Sequence, residues 1–73
     1  MKALTWEQKQ GRDAVKRARA KWADFDKLGR ELQWAVISVE LVSLVYAQHT
    51  NNEGVNHLQD SIKEAKNIFE PEN

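Results

Sequence analysis

The chain has 73 residues, no cysteine, 30% charged residues and a formal net charge of zero, eleven Lys and Arg balancing eleven Asp and Glu. A chain this short makes one domain and buries only about 60% of the surface its unfolded form exposes, so a lone monomer is marginal and a staple of some kind is expected. The lack of cysteine excludes disulfides, thiolate metal sites and thiol nucleophiles, and it fits a reducing, cytoplasmic setting.

The neutral total hides a split. Residues 1–30 hold nine Lys or Arg against four Asp or Glu, and residues 31–73 hold two against seven, so one end is +5 and the other −5. Such asymmetry suggests an electrostatic partner: an anion, a nucleic acid, or the acidic half of a second copy. The opening residues MKALTWEQKQ contain no apolar run of signal-peptide length, which adds to the cytoplasmic expectation.

The first element is announced by Thr5-Trp6-Glu7-Gln8, a capping box in which each side chain satisfies the other residue's free backbone N–H. Downstream, Gly11, Val15, Ala18, Trp22, Phe25, Gly29, Leu32, Val36 and Val39 recur at alternating four- and three-residue steps, the seam of a helix packed on another helix. Lys27-Leu28-Gly29 is a candidate stop with Gly at the left-handed position. The seam runs through it in register and no strong N-cap residue follows, so one long helix over about 5–49, kinked at Gly29 if anywhere, is expected.

Within that helix, ten of the thirteen residues from Trp34 to Tyr46 are apolar, the exceptions being Ser38, Glu40 and Ser43. The run is shorter than the roughly 20 apolar residues a membrane span needs, and Glu40 stands at its middle, so no membrane role is expected. The β-branched Val36, Ile37, Val39, Val42 and Val45 also allow a strand at 36–45, but a single strand has no sheet to join. His49-Thr50-Asn51-Asn52-Glu53-Gly54 reads as a turn with Thr50 or Asn52 as a fresh N-cap. Val55, Leu58, Ile62, Ala65 and Phe69 then place a short helix over about 53–69, stopped by Pro71. The fold class is therefore all-α, a hairpin of one long and one short helix.

A short helix covers only one side of the segment 34–46, and soluble monomers rarely leave such apolar patches open. A homodimer or higher oligomer is the simplest remedy: two antiparallel hairpins forming a four-helix bundle around 32–46 and 55–69, with the basic arms projecting from its ends. Trp34, Ile37, Glu40, Leu41 and Tyr46 are the candidate partner-binding residues, Trp34 and Tyr46 belonging either to the dimer core or to an external docking surface. Glu40 either pairs with an arginine across the interface or reaches water through a gap in the packing, and the rarity of fully buried charge favours the second.

Placed on a helical wheel, Arg12, Lys16, Arg19, Lys27 and Arg30 fall with Lys9 inside an arc of roughly 80°, a basic stripe suited to phosphates. With Trp6, Trp22 and Trp34 on the same arm it could also stack bases, although Trp22 lies on the seam and belongs to the core in this reading. No Gly-rich phosphate loop is present, and His49 and His57 have no Ser or Cys in a nucleophilic arrangement. Glu53, His57, Asp60 and Glu64 share one face of the second helix, but the paired ligand spacing of a di-metal bundle is missing. Neither catalysis nor a metal or other cofactor is expected.

In build the chain resembles the small helical accessory proteins with which bacteriophages bind and disable a host protein. The segment from Arg30-Glu31-Leu32 through His57-Leu58-Gln59-Asp60-Ser61-Ile62-Lys63-Glu64-Ala65 also resembles the hairpin domain of phage cyclic-nucleotide sponges. The first resemblance implies a non-enzymatic inhibitor or adaptor, of an anti-defence kind, that meets a host protein as a homodimer. The second implies an anion binder that sequesters a nucleotide through the basic stripe. Neither transfers a functional residue.

Overall fold

The structure, a computed structural model, describes residues 3–49 and 52–70. Among these the chain is all-helical: α1 (Trp6–Lys21), a single 3-10 turn (Phe25–Lys27), α2 (Arg30–Gln48) and α3 (Asn52–Phe69), with no strand. The capping box forms as the sequence requires, Gln8 N–H donating to Thr5 Oγ1 at 3.1 Å and Thr5 N–H to Gln8 Oε1 at 3.0 Å. Pro71 and the proposed cap Thr50 lie outside the described residues, and Asn52 is already the first residue of α3 rather than its cap.

The expected long helix is replaced by two. The chain leaves α1 at Trp22, which has extended backbone angles (φ −109°, ψ 99°), and re-enters helix after Gly29 (φ −63°, ψ 157°). Gly29 is thus the N-cap of α2 and not a left-handed helix end. Tertiary burial explains the break. Folded back, α1 packs against both α2 and α3, and Phe25, at 3% exposure, plugs the corner. The corner is fastened by Gln33, whose Nε2 donates to the Phe25 carbonyl at 2.8 Å. A continuous helix would keep its local hydrogen bonds but leave one side of α2 in water, and burying each large apolar side chain is worth about 1.5–3 kcal/mol.

The core comprises Ala14, Val15, Ala18, Phe25, Ile37, Leu41, Val45 and Ala65, with Trp6, Leu28, Trp34, Val36, Leu44, Leu58, Ile62 and Phe69 packed on its margin. The seam holds through Gly11, Val15 and Ala18 and fails beyond the break. Trp22, Leu32 and Val39 are 50%, 60% and 63% exposed. Small residues let α1 and α3 approach closely: a Cβ on Gly11 would sit 2.7 Å from the Ala65 backbone nitrogen and 3.0 Å from its Cα. Gly29 has nothing within 4 Å of its virtual Cβ.

These two glycines give opposite expectations. Gly11→Ala adds helix propensity but forces two backbones apart, so a net loss of about 1–3 kcal/mol is expected in chemical denaturation. Gly29→Asp supplies a capping carboxylate at the start of α2 and stiffens the unfolded chain, and is expected to raise stability by about 0.5–1 kcal/mol.

Candidate functional site

The apolar segment of α2 turns two different faces outward and inward. Ile37, Leu41 and Val45 point into the bundle and are fully buried. Trp34 is half-buried, stacked on Phe69 with ring centroids 6.0 Å apart and with Lys66 Nζ 5.9 Å from its ring. Of the five residues expected to bind a partner, Ile37 and Leu41 therefore have no surface to offer, and Trp34 and Glu40 are engaged within the chain. Tyr46 is 37% exposed, with its ring set against Gly54 of α3, where an added Cβ would come within 2.8 Å of its Cε1.

Glu40 corrects its expectation most sharply. It neither reaches bulk water nor waits for a second chain. It is 6% exposed, and the Lys21 ammonium lies 3.2 Å from both carboxylate oxygens. Arg17 Nε stands 3.9 Å from Oε1. Both cations come from the last turns of α1, where positive charge also meets the helix dipole favourably. The ion pair exists because α1 folds back onto α2, and it draws part of the basic arm onto the acidic half of the same chain.

On the outer face, Leu32, Ala35, Val39, Val42 and Tyr46 are exposed and Val36 is partly so. Trp22 stands beside them across a shallow groove of about 210 Å³ lined by Trp22, Ala35, Val36, Val39 and Glu40. The groove is smaller than the 300–1,000 Å³ usual for small-molecule sites, and its walls are almost wholly apolar. Sequence reasoning did not pick out Leu32, Ala35, Val36, Val39, Val42 and Trp22 as a surface. The residues were visible, but α2 is apolar on both sides, so periodicity alone does not say which side faces in.

The basic stripe is interrupted. Arg12, Lys16 and Arg19 remain exposed on α1, whereas Lys27 lies in the 3-10 turn and Arg30 opens α2, so the wheel that joined all five no longer applies. Three have neighbours in the chain: Arg12 with Asp13 (3.9 Å), Lys27 with Asp24 (3.9 Å), and Arg19 over the Phe25 ring (5.7 Å).

At the far end of the bundle, Trp6 meets His49 and His57 edge-on at 4.9 Å each, and the two imidazoles stack at 4.3 Å. Glu7 Oε1 lies 3.5 Å from His57 Nδ1, and Glu53 Oε2 lies 3.9 Å from His49 Nδ1. Gln48 completes the closure, accepting from Trp6 Nε1 at 3.2 Å and donating to the buried Gln10 Oε1 at 2.9 Å. The cluster ties the start of α1 to the end of α2 and the start of α3. Among the described residues no three His, Asp or Glu side chains converge as a metal site, and no helix is long and apolar enough to cross a membrane.

No protein-family model, curated protein or solved structure matches this chain. Its function is accordingly read from its surfaces.

The Glu40 ion pair is open to direct measurement. Lys21→Met removes the nearer cation and leaves a buried carboxylate with only the more distant Arg17. A loss of about 1–2 kcal/mol is expected, less than for a fully buried pair because both cations are half-exposed. In the Glu40→Gln background the same Lys21→Met change is expected to cost under about 0.5 kcal/mol, which a double-mutant cycle reads out.

Proposed function

We propose that this protein is a non-enzymatic protein–protein interaction module, of the small inhibitor or adaptor type found among phage and mobile-element proteins, which meets a host protein as a homodimer. One observation carries the reading: the outer face of α2 sets Leu32, Val39, Val42 and Tyr46 in water beside Trp22. Contiguous exposed apolar surface of this kind marks contact sites, because a soluble chain otherwise gains nothing by keeping it. Aromatic residues at its border, Trp22 and Tyr46, are of the type that dominates binding energy in interfaces. Among the described residues no group stands poised as a nucleophile beside a base, and the two imidazoles are braced against Trp6.

Native mass spectrometry of the protein taken gently from a bacterial lysate tests the reading. A discrete assembly containing two copies and one host protein is expected, and Val39→Lys, a change at an exposed position, is expected to abolish it while helical circular dichroism is kept. A chain that stays free, or an assembly indifferent to Val39→Lys, would contradict the proposal.

A second reading, an anion binder of the nucleic-acid or nucleotide-sequestering kind, draws on the exposed Lys9, Arg12, Lys16 and Arg19 along α1. It expects affinity for a phosphate-bearing ligand that falls steeply with added salt and is lost on combining Lys16→Glu with Arg19→Glu, at nearly unchanged Tm. Nucleic acid or nucleotide binding that survives both changes rejects it.

A further inference from the structure

Seven residues of α1 are exposed, and six of them are cationic: Lys9, Arg12, Lys16, Arg17, Arg19 and Lys21, with Ala20 the seventh. Arg17 and Lys21 turn to Glu40. The other four follow one another at steps of three, four and three residues, so at about 100° per residue they share an arc of roughly 80° and form a row about 15 Å long. No carboxylate of α1 lies within that arc: Glu7 reaches His57 Nδ1 at 3.5 Å, and Asp13 flanks Arg12 at 3.9 Å. The opposite side of the helix is already spent, with Gly11, Ala14, Val15 and Ala18 buried in the bundle. The row is also convex. The concavities beside Trp22 and Val39 and beside Lys63 and Lys66 include none of its four residues.

We infer that this row docks on a nucleic-acid duplex, held through its phosphates and without reading its bases. The inference rests on the anion-binding reading and deepens it by choosing among anions. A face made of charge alone gains little from an acidic protein, because exposed ion pairs contribute at most about 1 kcal/mol each and protein interfaces draw their affinity from apolar and aromatic anchors. The row has no such anchor. A lipid surface asks for apolar side chains that enter the acyl boundary, and those of α1 are buried in the bundle. A mononucleotide asks for a concave site, which a convex row does not offer. A duplex differs from all three. It carries about one charge per 1.7 Å of axis under a condensed layer of counterions, and each phosphate that a Lys or Arg neutralises releases them to solution. Single strands are held by stacking their bases on aromatic side chains, and none lies in the arc. Because the formal net charge is zero, the attraction is confined to this face, and the affinity falls in the range of about 10⁻⁴–10⁻⁶ M typical of non-specific binding.

Fluorescence anisotropy of a labelled DNA duplex, titrated with the full chain at a series of salt concentrations, tests the assignment. Four phosphate contacts give an expected slope of log K against log salt of about −3.6, a loss of about 150-fold for a fourfold rise in salt. Two unrelated duplex sequences are expected to bind alike. Lys9→Ala, Arg12→Ala and Lys16→Ala are each expected to reduce the magnitude of the slope by about 1 while helical circular dichroism is kept, alanine being the better helix former. A slope of magnitude below about 1, or binding indifferent to all three alanine changes, overturns the inference. So does equal or tighter binding to phosphatidylserine vesicles, to polyglutamate or to a single strand of the same length. The two levels of the reading fail separately. A chain that binds ATP, loses it on combining Lys16→Glu with Arg19→Glu, and ignores the duplex removes this inference alone, whereas a chain that binds neither ATP nor duplex removes the anion-binding reading with it.

Discussion

Ile37, Leu41 and Val45 lose all contact with water, and the bundle is arranged around what it takes to cover them. One helix shields one side of another, so a helix with a broad apolar circumference needs neighbours on more than one side. In this chain α3 supplies one and α1, folded back at Trp22 to Gly29, supplies the other. The break costs a few helical hydrogen bonds at the corner, and Phe25 and Gln33 refill it. The same reversal brings Lys21 and Arg17 to Glu40, so the charge split along the sequence is partly neutralised inside one molecule.

This folding back also reduces what a partner must do. A hairpin with a projecting basic arm would require a second copy to build its core, and dimerisation would be inseparable from folding. With α1 in place the core is closed, and what remains open is a stripe of valines, one leucine and a tyrosine whose burial adds to a structure already formed.

The ends of the bundle differ in character. At one end Trp6, His49, His57 and Gln48 knit three helix termini with aromatic contacts and hydrogen bonds. At the other, Trp34 stacks on Phe69. Trp34 and Tyr46 bound the same apolar run and both rings are set against α3, Trp34 on Phe69 and Tyr46 on Gly54. Twelve residues apart, they stand about 120° apart around α2 and meet opposite ends of α3.

Local signals in the sequence were sufficient for much of the architecture. The Thr5–Gln8 capping box, the helical period, the end of α2 at Gln48 and the end of α3 at Phe69 depend on backbone hydrogen bonding and on spacing within a few residues, so each is legible without knowing what packs where. The lack of cysteine and the length of the apolar run were likewise decided by composition. The break at 22–29 was legible only as a candidate stop at Gly29, because its cause is the burial gained by α1 against α2 and α3, and no residue there forbids a helix. The candidate surface was half legible: the sequence shows that α2 carries more apolar circumference than a short helix can cover. Which half of that circumference faces water was decided only by the tertiary structure, since two apolar faces on one helix are equivalent until other helices have chosen between them.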